Sequence, residues 1–112
     1  MPHIIIEHDP KTKQDIDLGA LCRDLHQCLA KQESVKEEAI KTRSIEVDNL
    51  IVGTAENNNQ MIHIELKLLT GRSDEVKMYM AEALHAVAKK NLGKIECSIT
   101  VDVSELGVYK KS

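Results

Sequence analysis

Four residues of this chain could together do acid–base chemistry on an anion: Pro2, Lys41, Arg43 and Arg72. Pro2 follows a single Met, and so small a penultimate residue permits Met1 removal. The product carries a secondary amine at the very end of the chain. An ordinary α-amino group titrates at about 7.7–8.0, and a pyrrolidine amine is intrinsically more basic. Burial and a nearby cation both disfavour the ammonium form, a close charge by ~1–3 units. The outcome is a base poised near neutral pH, where general acid–base catalysis is most efficient. Taken without that context, Pro2 is only a residue that begins a strand.

The cations are the second half of the chemistry. Lys41 and Arg43 fall just before or at the start of an expected strand, and Arg72 falls in a turn before a helix. Backbone N–H groups at a helix start favour anions, and arginine offers carboxylate a planar fork. Any one of these side chains alone reads as solvated surface charge. Other chemistries find less support. The sequence has no zinc-like His/Cys spacing, no phosphate-cradling glycine motif and no Ser-His-Asp arrangement. His63 lies on a polar strand face and reads as structural.

The elements that must position these residues follow from periodicity. His3 to Glu7 is a short run rich in β-branched Ile and reads as a buried strand that starts almost at the N-terminus. His8-Asp9-Pro10-Lys11 reads as loop. Leu18, Leu21, Cys22, Leu25 and Leu29 trace one helical face, with Asp17 as N-cap and an end near Lys31. Residues 33–41 are a charged connection with room for one helical turn. Ser44 to Gly53 has strand composition, with a bulge expected at Asn49. Glu56-Asn57-Asn58-Asn59 reads as a hairpin-type loop. Ile62, Ile64, Leu66 and Leu68 alternate with polar residues as a strand. Thr70-Gly71-Arg72-Ser73 turns into a second helix, capped by Ser73, with Val76, Tyr79, Met80, Ala83, Leu84 and Val87 as its expected buried stripe. Ile95 to Val103 alternates as the last strand.

The order strand, helix, strand, strand, helix, strand predicts an α+β fold. Two β-α-β units would form a four-stranded sheet with both helices on one face. The other face, with His63, Glu65, Lys67, Ser98 and Asp102, would meet solvent or neighbouring subunits. The 112 residues are expected to form one domain over 1–112. Phe and Trp are absent and Tyr occurs twice, so the core must be aliphatic. A net charge of −3 with scattered signs argues against nucleic acid or an anionic membrane as partner. No apolar run approaches the ~20 residues of a membrane span, and three Ile after His3 are too few for a signal peptide. Cys22, Cys28 and Cys97 form no CxxC pair, and the expectation is reduced thiols in a cytoplasmic protein.

With these residues in place, the chain resembles the 5-carboxymethyl-2-hydroxymuconate delta-isomerase family of the tautomerase superfamily. The resemblance rests on Met1-Pro2-His3 leading into an aliphatic strand with Glu7, on Asp17-Leu18, on Arg43 with Val47-Asp48, and on His63 through Leu66-Lys67 to Gly71-Arg72-Ser73. It covers roughly the first 75 residues at family-like spacing and rests on pattern beyond them. It implies a β-α-β repeat fold assembled as a homotrimer, with sites near subunit contacts. It implies that Pro2 shuttles a proton without a cofactor, while cations hold the carboxylates of a small 2-hydroxy-dienoate or 2-keto acid. Arg72 and Arg43 match family arginines. Lys41 departs, because the family carries arginine there, and lysine keeps the charge without the planar fork. The C-terminus is also shorter than the family's. Two other functions share the scaffold: hydration of an unsaturated acid through Pro2, and a non-catalytic ligand-binding or interaction domain of ferredoxin-like shape.

Overall fold

A computed structural model describes residues 1–54 and 60–112. Strand β1 spans His3–His8 and is followed by helix α1, Pro10–Asp15, and helix α2, Leu18–Ala30. A 3₁₀ turn at Glu37–Ala39 leads into β2, Lys41–Glu46. Then come β3, Met61–Leu68, helix α3, Asp74–Leu92, and β4, Ser98–Glu105. The sheet order is β2-β1-β3-β4. β1 runs parallel to β2 and antiparallel to β3, and β3 runs parallel to β4. The architecture is therefore the α+β one expected, two β-α-β units joined through β1 and β3.

Alternation explains the layers. Ile4 and Ile6 of β1 and Ile62, Ile64, Leu66 and Leu68 of β3 point to one face and are buried. Leu21, Leu25 and Leu29 of α2 and Met80, Leu84, Ala88 and Leu92 of α3 meet them in one aliphatic core. Each fully buried Leu or Ile contributes about 1.5–3 kcal/mol. The odd-numbered residues of β1 and β3, from His3 and Ile5 to Glu65 and Lys67, are half-buried on the opposite face.

Four expectations need correction. The segment after His8 is not a loop throughout. Asp9 caps α1, accepting from the Thr12 N–H, and Pro10 sits at the first helical position, where its fixed φ favours a helix start. The second strand runs over Lys41–Glu46 rather than Ser44–Gly53, and no strand reaches Asn49. It is an edge strand whose side chains are mostly exposed, so no apolar face announces it. In α3 the fully buried line is Met80, Leu84, Ala88 and Leu92, while Val76 and Tyr79 stand in solvent. The last strand begins at Ser98, whose N–H donates to the Gln60 carbonyl (3.1 Å) just ahead of β3, and Ile95 and Cys97 precede it. The expected Asn-rich loop lies outside the described residues.

One polar cluster is sealed into the far end of the sheet. The Asp9 carboxylate accepts from the Thr12 N–H (2.8 Å), the Thr12 hydroxyl (2.6 Å) and the Met61 N–H (2.8 Å). It joins the end of β1 to α1 and to the first residue of β3. Burial pushes the Asp9 carboxyl up, but the Thr12 hydroxyl and the Met61 and Thr12 N–H groups outweigh it and hold the group below its ordinary value. The three cysteines are free and half-buried. Among the described residues no helix is long and apolar enough to cross a membrane.

Candidate active site

The candidate base sits at the head of the central strand. Pro2 is buried, and its carbonyl accepts from the Lys41 N–H at 3.0 Å, the first bond of the β1–β2 ladder. Both neighbours of β1 thus fix the N-terminal end of the chain. The amine present here is that of Met1, one residue before the Pro2 nitrogen, which is held in the Met1–Pro2 amide. The Met1 amine lies below its ordinary value of 8.0, first through burial and then through Arg72, Lys111 and Lys41.

Register sets the cations beside it. His3 pairs with Lys41 on β2 and with Lys67 on β3, so the three side chains share one row of the open sheet face. Arg43 pairs with Ile5, one row further along, and its Nη1 reaches back to His3 Nδ1 at 3.2 Å. Lys67 is drawn aside by Glu65, 3.4 Å away. Lys41 and Arg43 are exposed.

Arg72 comes from a different element. Gly71 has φ +117, a backbone region that L side chains rarely adopt, and it swings the chain from β3 into α3. Ser73 then caps α3 by accepting from the Val76 N–H. Between them Arg72 donates from Nε to the Ser34 hydroxyl (3.2 Å) and from Nη2 to the Ser34 carbonyl (3.0 Å). One edge of its guanidinium is therefore docked on the connection between α2 and β2, which leaves Nη1 and the opposite edge for an anion.

Of the four residues expected to do chemistry, Pro2, Lys41 and Arg43 are joined through the first rungs of one strand pair. Arg72 adds its charge to the N-terminus from the other half of the chain. A cleft of about 830 Å³ runs between α2 and α3 and includes Cys28, Ser34 and Tyr79 but none of the four. Among the described residues no three His, Cys, Asp or Glu side chains are grouped to hold a metal ion. Sequence reasoning missed His3, Ser34, Tyr109 and Lys111 as neighbours of the site. His3 was legible, since alternation puts it opposite Ile4 and next to Pro2. Tyr109 follows the last strand, where periodicity carries no signal.

Comparison with known proteins fits this picture. The chain shares the fold of the tautomerase superfamily. Sequence places it more narrowly: it matches the 5-carboxymethyl-2-hydroxymuconate isomerase family over residues 2–106, from Pro2 onward, and it belongs to that family. A crystal structure of a 5-carboxymethyl-2-hydroxymuconate isomerase from Deinococcus radiodurans R1 is similar, with a TM-score of 0.85, 21% identity, and 98% of this chain and 88% of that chain covered. A 5-carboxymethyl-2-hydroxymuconate delta-isomerase superposes with a TM-score of 0.89 at 17% identity, covering 100% and 87% of the two chains. A fused 4-OT wild-type symmetric trimer gives a TM-score of 0.74 at 18% identity, covering 93% and 86%. No curated protein sequence matches the chain.

Proposed function

We propose that this isomerase-family chain is a cofactor-independent keto–enol tautomerase. Its substrate would be a small 2-hydroxy-dienoate or 2-keto acid, and its acid/base the amine of Pro2 once Met1 is removed. The observation that carries the reading is the placement of the N-terminus. It lies at the head of the central strand, with Arg72, Lys111 and Lys41 acting on the terminal amine. Burial and these cations lower the amine's hold on a proton, and a neutral amine is what proton abstraction needs.

The steps balance without a further reactant. The Pro2 nitrogen takes the proton of the 2-hydroxyl group. The electron pair moves through the diene, forming the 2-oxo group and raising electron density at the far carbon. The same nitrogen, now an ammonium, returns the proton to that carbon. Arg43 and Lys41 bind carboxylate as exposed cations on the open face. The free edge of Arg72 binds carboxylate or polarises the 2-oxo oxygen, where charge develops. Lys41 supplies a point charge where a fork would select a planar carboxylate, so the reading is a class of substrate rather than one compound.

A homotrimer is part of the proposal. The clefts described on a single chain leave out Pro2 and its cations, and the open sheet face carries half-buried Ile5 beside Glu7 and His63. Neighbouring subunits on that face would wall the site. The test is ketonisation of 2-hydroxymuconate, with intact mass measured on the same sample. Met1-free protein should turn over and Pro2→Ala should lose at least about 100-fold in kcat. Undiminished turnover by Pro2→Ala, or by protein that retains Met1, would sink the proline mechanism.

A further inference from the structure

The C-terminal tail returns to the candidate site. Beyond β4, Tyr109 lies edge-on to His3, with ring centroids 5.8 Å apart and planes at 79°. His3 Nε2 is 2.9 Å from the Tyr109 hydroxyl, and His3 Nδ1 is 3.2 Å from Arg43 Nη1. Protons on this chain of three can be assigned by elimination. A guanidinium has no acceptor, so Nδ1 must be unprotonated to receive Arg43. The ring proton then sits on Nε2 and is donated to the Tyr109 oxygen. Arg43 selects this tautomer, and the Tyr109 hydroxyl, which can accept as well as donate, anchors the ring by receiving the Nε2 proton.

We propose that Tyr109 and His3 are positioning residues for Arg43: the Tyr109 hydroxyl anchors the His3 ring by accepting from Nε2–H, and the bare Nδ1 orients the guanidinium toward the substrate. The arrangement requires a neutral imidazole. Arg43 and Lys41 on β2, Lys67 on β3 and the terminal amine face the ring and disfavour its protonation, after burial, which acts most strongly. Glu65 is the carboxylate next to Lys67, and it is spent on that lysine. The inference rests on the tautomerase reading for its substrate and on geometry alone for its proton assignment.

Met1-free protein with ¹⁵N-labelled histidine tests both parts. In the parent, the His3 ring should titrate as an Nε2–H tautomer. In Tyr109→Phe, which keeps the ring contact, Nε2 should lose the chemical shift of a hydrogen-bonded N–H. The KM for 2-hydroxymuconate should rise about three- to tenfold, the worth of roughly one hydrogen bond, with kcat within about twofold. His3→Asn sets an amide oxygen where Nδ1 stands and has no tautomer to choose. In that background Tyr109→Phe should change KM no further. The proposal is overturned if the parent ring is not the Nε2–H tautomer, if Tyr109→Phe leaves the Nε2 resonance unchanged, if KM stays constant in an active enzyme, or if Tyr109→Phe costs as much in His3→Asn as in the parent. A parent without turnover that still shows this tautomer, and the loss of its Nε2–H hydrogen bond in Tyr109→Phe, would instead refute the tautomerase reading. The positioning of Arg43 would then stand on the spectra.

Discussion

At the scale of single residues, the candidate site is built from charges whose neighbours limit what each can do. Arg72 spends one edge on Ser34, and Arg43 leans on a neutral His3. Among the described residues no carboxylate pairs with the exposed Lys41 ammonium, so it is the cation most available to an incoming carboxylate. Lys41→Ala should therefore raise KM about tenfold or more, the range of a charge-assisted hydrogen bond, with a smaller change in kcat. Steady-state kinetics on Met1-free enzyme checks this. His3 adds a pH dependence. Its imidazole is held below the ordinary 6.5, so the unfolded chain binds the proton more readily than the folded one. Stability should then fall as pH drops below about 6.5, until the folded ring itself protonates. Denaturant midpoints for the parent and His3→Asn, measured from pH 7.5 down to 5, should converge toward the acid end.

At the scale of elements, the strands were legible where one face is buried and obscure where it is not. β3 announces itself by alternation and β1 by its run of β-branched Ile, and the structure keeps them nearly residue for residue. β2 is an edge strand of exposed Lys, Arg and Ser, and only its pairing with β1 defines it. Lys41 and Arg43 were thus recognisable as cations by type, while their position on the ladder was not. Helix α1 was hidden for another reason: Pro10 reads as a loop breaker but occupies the one helical position that proline favours. The Asp9 knot that starts it should be a large local source of stability. Asp9→Ala removes three hydrogen bonds to a carboxylate and should cost about 2–4 kcal/mol, read as a lower urea midpoint. Because the Asp9 carboxyl is held below its ordinary 3.8, its contribution is present above that pH and is lost as pH falls through the folded value.

At the scale of the whole molecule, topology was legible and assembly was not. Six elements in order, with helices alternating against strands, suffice for the two-unit sheet. On the proposed assembly, what covers the open face is another copy of the chain. If that face joins subunits, a charge in its middle should separate them. Ile5→Lys is expected to keep the fold, since its side chain points away from the aliphatic core. It should shift sedimentation from trimer to monomer and abolish turnover. A monomer with full activity would show that one chain completes its own site.

The central place of β1 has a consequence in time. The first strand made is the one that both halves of the sheet close upon, and its first partner does not begin until Lys41. Its other partner starts only at Met61. At ordinary rates of synthesis this leaves on the order of seconds during which the N-terminus hangs free outside the ribosome. On the proposed Pro2 mechanism, trimming of the leading methionine and closure of the sheet are then competitors, and the winner should decide whether a well-folded chain is alive or inert. Protein that retains Met1 should resist methionine aminopeptidase while native and yield to it once unfolded, so its dormant fraction should be recoverable only by passing through the unfolded state.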